Sequence, residues 1–183
     1  MMHTDDAAHA FRVAKRLFGL AETLQFAEVN LWARLHTVEE VQRVRYVLPA
    51  GAWFESGDYP KAQSFQPHQL PVGRDMAELL PLRLGLEEDV PFGSFEEVFT
   101  AVAGTLPAGL HWYLGAWPAT PSQPWRDTQY SGVQLSLNSR DLHCEPAAGH
   151  MLYVCVGQSD VERAEWLASQ VGLHVLGAPM QSI

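Results

Sequence analysis

Four side chains with ligand or catalytic chemistry fall within eight positions of one run, Leu142-His143-Cys144-Glu145-Pro146-Ala147-Ala148-Gly149-His150. If residues 143–145 are extended, His143 and Glu145 point one way and Cys144 the other. A turn through Pro146 and Gly149 then brings His150 back beside the first two. His143, Glu145 and His150 would form a two-histidine, one-carboxylate face able to hold a divalent metal with open positions. In the alternative, Cys144 is a thiolate nucleophile with a neighbouring histidine as its base. The plainer reading is a wet loop whose Pro and Gly serve a turn, since this spacing is weak beside the closed zinc signatures.

A second set lies on two stretches with strand-like alternation. In residues 110–117, Leu110, Trp112, Leu114 and Ala116 share one side, and His111, Tyr113 and Trp117 the other. In residues 132–138, Val133, Leu135 and Leu137 point inward, and the opposite side carries Gln134, Ser136 and Asn138. If the apolar sides pack together, His111, Tyr113, Trp117, Gln134 and Ser136 lie on one surface. Aromatic rings with a few polar groups are what ligand sites are built from. The competing reading is ordinary packing, in which Tyr and Trp supply buried area with a polar tip.

The element expected to anchor both sets is a strand–helix–strand over residues 150–176. Met151 to Val156 is an unbroken apolar run, as in a central strand covered on both faces. Ser159 and Glu162 have the spacing of a capping box. Val161, Ala164, Leu167, Ala168 and Val171 make an apolar helical stripe, and Gly172 follows where a left-handed residue is wanted. Leu173 to Leu176 reads as a second strand, giving a crossover of ferredoxin-like character.

Upstream, residues 4–18 have a helical stripe, with Phe11, Ala14, Leu17 and Phe18 apolar. Residues 28–36 alternate without exception, which favours a strand, while Leu24, Ala27, Leu31 and Leu35 also fit a helix. Thr37–Glu40 and Ser94–Glu97 have the spacing of capping boxes that open further helices, with a strand through Val44, Tyr46 and Leu48 as the alternative after the first. Residues 49–91 are punctuated by Pro and Gly and read as an irregular excursion, with a short helix at 74–80. Trp53, Phe54, Tyr59 and Phe65 are too apolar for a free linker. The expected architecture is one α+β domain over 1–183, with a mostly antiparallel sheet of four to five strands and helices packed on it.

Composition bounds the function. The chain has 183 residues, is 47% hydrophobic and 18% charged, and carries a net charge of −9. That balance argues against nucleic-acid binding, which needs clustered Lys and Arg. No apolar run reaches membrane-spanning length, the first residues do not read as a signal peptide, and two cysteines make no disulfide framework. The expected setting is cytoplasmic. Dinucleotide, Walker, zincin, nucleophile-elbow and EF-hand motifs do not occur. Three classes of function follow. The leading one is a binding or regulatory module holding a small molecule or protein partner on the aromatic–polar face. The others are a metal- or cysteine-dependent enzyme using residues 143–150, and an accessory or oligomeric interaction protein.

Overall fold

The computed structural model describes residues 2–22, 26–57, 60–91, 96–141, 145–157 and 160–178. Among them eight strands form one sheet: β1 (Met2–Thr4), β2 (Phe26–Leu35), β3 (Trp53–Ser56), β4 (Gln63–Phe65), β5 (Leu82–Pro91), β6 (Ala108–Tyr113), β7 (Gly132–Ser139) and β8 (Pro146–Cys155). Their order across the sheet is β1-β8-β7-β6-β2-β5-β3-β4, and every pair is antiparallel. Five α-helices accompany them: α1 (Ala7–Phe18), α2 (Val38–Arg45), α3 (Arg74–Ala77), α4 (Glu96–Ala103) and α5 (Val161–Gln170).

Period-two alternation decides which side of the sheet is covered. Val29, Leu31, Ala33 and Leu35 of β2 are buried. So are Leu82, Leu84 and Leu86 of β5, Leu110 and Trp112 of β6, and Val133 and Leu135 of β7. Their register partners fall on the same side, so one face of the sheet is apolar. Buried side chains from each of the five helices join that core. Helix α1 lies against β7 and β8, and α4 against β2 and β6. Phe11 and Phe18 of α1 meet Trp112 edge-on, and Phe11 meets Phe99 of α4 in the same way. Such contacts add about 0.5–1.5 kcal/mol each beyond area burial.

Local chemistry sets the helix starts. Thr37 caps α2: its hydroxyl accepts from the Glu40 N–H at 3.2 Å, and the Glu40 carboxylate accepts from the Thr37 N–H at 3.0 Å. The box is the one expected from the sequence. Helix α1 starts later than Thr4, which ends β1; Asp6 is the cap and accepts from the His9 N–H at 3.1 Å. The Ser94 and Ser159 boxes lie outside the described residues.

Four expectations are corrected. The sheet has eight strands, not four to five. Residues 49–91 hold three of them, β3, β4 and the ten-residue β5. Residues 173–176 form no strand. β1 arrives from the start of the chain and takes the place beside β8, pairing Met2 with Leu152 and Thr4 with His150. A returning strand therefore has no place there, and the ferredoxin-like crossover is not shown. β8 is also not covered on both sides: Leu152 faces the helices, while Met151 and Tyr153 lie on the opposite face in a small cluster of their own.

Candidate functional site

The face turned away from the helices is paved by its own side chains. Three glycines, Gly85, Gly109 and Gly132, lie in the strands on that side. A Cβ at Gly85 would come within 2.4 Å of the Trp53 ring, and one at Gly109 within 2.2 Å of the Trp32 ring. A Cβ at Gly132 would come within 2.4 Å of His111 Nε2. Each glycine leaves a gap, and a ring from a nearby position fills it. Because the rings fill these gaps, this face is shielded from water without a helix above it.

Beneath the paving are polar groups. In one row across the sheet, Tyr153 of β8, Gln134 of β7, His111 of β6 and Asn30 of β2 are successive register partners. In the next row Met151, Ser136, Gly109 and Trp32 follow in the same way. Gln134 is 3% exposed and Ser136 0%. Gln134 Nε2, Ser136 Oγ, His111 Nε2 and Tyr153 Oη are all buried without a hydrogen-bond partner among the described residues. An unsatisfied buried group costs about 1–3 kcal/mol, and such groups are normally rare.

Electrostatics follows from the same burial. Loss of solvent pushes the His111 imidazole down to about 4, so it is neutral at pH 7. Its ring stacks on Tyr113 with 4.0 Å between centroids. Burial pushes the Tyr153 hydroxyl up to about 12, and the Asp141 carboxylate adds to the effect. The face therefore presents neutral donors and acceptors beside aromatic rings.

The structure brings together His111, Tyr113, Gln134 and Ser136, as the alternation placed them. Trp117 does not join them. β6 ends at Tyr113, and Trp117 is fully buried, its indole N–H donating to the Cys155 carbonyl at 2.7 Å. Tyr153, Trp32 and Asn30 belong to the face and were not singled out in the sequence. Tyr153 was hidden in an apolar run read as buried on both sides.

Residues 143–150 are arranged differently. His143 and Cys144 lie outside the described residues. The turn expected at Pro146–Gly149 is strand: β8 begins at Pro146. Glu145 and His150 therefore stand on either side of Pro146–Gly149, where β8 shifts register against β7. Glu145 pairs with Arg140 at 2.5 Å. His150 faces the helix side, opposite Leu137, and its Nδ1 accepts from the Asn138 N–H at 3.2 Å. Burial lowers the His150 imidazole, partly offset by Asp5. Among the described residues, no group of three or more His, Cys, Asp or Glu side chains converges to hold a metal ion. Burial pushes the Cys155 thiol up to about 12, which keeps it protonated and unreactive at neutral pH. Among the described residues no helix is long and apolar enough to cross a membrane. Comparison with protein-family models, with curated proteins and with solved structures returns no match, so the site rests on this chain's own residues.

Proposed function

We propose that this chain is a binding module that holds another molecule on the face of the sheet opposite its helices. One observation carries the reading. Four polar atoms on three adjacent strands, in His111, Gln134, Ser136 and Tyr153, are buried on that one face with no hydrogen-bond partner among the described residues. Folding alone favours apolar residues there, because Leu or Ala would fill the same positions without unsatisfied groups. The rings that shield these atoms are side chains on open strands, and their displacement needs no change of backbone. Aromatic rings over a few neutral donors and acceptors suit recognition of an uncharged polar group, with the rings supplying apolar contact.

The test is amide chemical-shift mapping on the labelled chain, against pooled metabolites and against purified candidate partner proteins. The expected shifts cluster on His111, Tyr113, Gln134, Ser136 and Tyr153, and binding weakens at least tenfold in Gln134→Leu. A bound molecule whose shifts leave all five residues unmoved would overturn the reading.

A further inference from the structure

At one end of the same face the Tyr113 ring meets a group of carboxylates. Glu28 of β2 is the register partner of Tyr113 on one side and of Asp89 on the other. Two residues along, Glu87 of β5 stands opposite Asn30. All three carboxylates are exposed, and none has an ion-pair partner among the described residues. Like charges directly opposite across strands are destabilising. At the other end of these strands Arg34 faces Arg83, but Arg83 is paired with Glu55 at 3.2 Å. One of the two basic side chains is neutralised, and the acidic end is left open. Carboxylates on an edge strand also discourage stray strand pairing. That role accounts for Glu87 and Asp89, which lie beyond the four residues of β5 that β3 covers, and not for Glu28, which has β6 on one side and β5 on the other.

Tyr113 stands beside these carboxylates, and two further exposed rings stand on the connection that follows it in the chain. Residues 114–131 connect β6 to β7 without helix or strand, a length that is uncommon in a compact domain and usually functional. The connection is pinned at three points. Asp127 accepts from the N–H groups of Gln129 at 3.0 Å, Tyr130 at 3.2 Å and Gly157 at 3.0 Å. The Ser131 hydroxyl donates to the Asp127 carbonyl and accepts from the Trp117 N–H at 2.9 Å. The fully buried Arg163 of α5 donates to the Asp160 carboxylate and to the carbonyls of Pro118 and Trp125. On this fixed frame Trp125 is 61% and Tyr130 58% exposed, and Tyr113 on the strand beside it is 41% exposed. Tyr130 follows the same edge, since the Ser131 carbonyl accepts from the Leu114 N–H at 2.8 Å. Rigid exposed Trp and Tyr side chains are the residues that carry binding energy at protein interfaces.

We infer that this acidic–aromatic end of the sheet docks a basic protein partner. Arg and Lys side chains of the partner pair with Glu28, Glu87 and Asp89 and stack on Tyr113 and Tyr130. The occupant is a macromolecule because the carboxylates are exposed on an open surface. Such charges steer and orient a large partner, whereas a small cation would need enclosure. The net charge of −9 acts in the same sense at long range. The inference rests on the face proposed above as the binding site and adds the chemistry of what it binds.

An octa-arginine peptide is the probe, with octa-glutamate as control, in amide shift titrations at 20 mM and 200 mM salt. The expected result is saturable shifts at Glu28, Glu87, Asp89, Tyr113 and Tyr130 and at the Trp125 indole. Binding should weaken at least tenfold in Glu28→Gln/Asp89→Asn and in Tyr113→Ala/Tyr130→Ala. It should stay within twofold in Glu39→Gln/Glu97→Gln, which removes equal charge elsewhere. Shifts spread over all acidic surfaces, with both charge variants equally affected, would overturn the inference, as would no saturable binding. If octa-arginine fails while a neutral ligand or partner still shifts His111, Gln134 and Ser136, the basic-partner inference falls and the sheet-face reading stands. If octa-arginine binds as described but no ligand ever engages those three residues, the inference stands and the polar floor is excluded from the site.

Discussion

Replacing His111 with Gln removes the one strongly shifted imidazole of the candidate face and leaves a polar side chain of similar reach. The consequence is a change in how stability depends on pH. In the fold the His111 imidazole is held down to about 4 by burial, against 6.5 for the ordinary group. Between those values the unfolded chain binds a proton at His111 and the folded chain does not. Stability is therefore full above about pH 6.5 and is lost as pH falls towards 4. With about 1.4 kcal/mol per pH unit, the loss attributable to His111 is about 2 kcal/mol at pH 5 and about 3 kcal/mol at pH 4. Urea denaturation of both proteins from pH 4 to pH 7.5 isolates this group, because contributions from other residues, the lowered His150 included, cancel in the difference. The stability of wild type minus that of His111→Gln should fall by about 3 kcal/mol across the range, following the linkage for one buried histidine. A difference that stays flat would mean that His111 is solvated and that the paving over Gly132 does not exclude water. The argument for a buried polar floor would then fail.

Other perturbations follow from the same contacts. Gly109→Ala places a methyl against the Trp32 ring and should destabilise by about 1–3 kcal/mol, with most of the loss absent in a Trp32→Ala background when a double-mutant cycle is measured by denaturation. Arg163→Met leaves Asp160 and the Pro118 and Trp125 carbonyls without their donor, and breaking such a buried pair should cost about 3–5 kcal/mol by thermal melting. Arg163→Lys should recover only part of that, since one ammonium lacks the planar fork that reaches all three acceptors. Asp127→Ala frees the amides of Gln129, Tyr130 and Gly157, so their hydrogen exchange should accelerate at least tenfold while amides in β2 stay protected. Thr37→Ala removes the α2 cap and should cost about 1 kcal/mol.

How much was legible in the sequence depends on whether the signal was local. The Thr37–Glu40 box is closed within one turn of chain, and it forms as its spacing dictates. The alternation of residues 28–36 is long and unbroken, and β2 follows it. The same periodicity placed His111, Tyr113, Gln134 and Ser136 on one face, because side-chain parity survives ignorance of strand order. It failed for Trp117, since parity carries no further than the strand, and β6 stops where Leu114 turns towards Ser131. Residues 49–91 were opaque because β3 and β4 are only four and three residues long and are fixed by pairing, not by propensity. Pro146 and Gly149 looked like a turn. They are tolerated in β8 because β1 pairs with it only from His150 to Leu152, leaving the outer side of 146–149 without a strand among the described residues. Gly149 sits there at φ +90°, a conformation that suits glycine. The glycine–ring pairs could not be read at all before register was known, because Trp32 and Gly109 are far apart in sequence and meet only across β2 and β6.

The claim that the polar groups of this face serve binding and not folding is tested most directly by the stability of the double variant Gln134→Leu/Ser136→Ala, measured by urea denaturation at pH 7. Removing two buried, unpartnered polar atoms should leave the free chain at least as stable as wild type, with a gain of up to about 1–3 kcal/mol. A loss of more than about 1 kcal/mol would mean that those atoms already make their hydrogen bonds within the folded chain, and it would contradict the account.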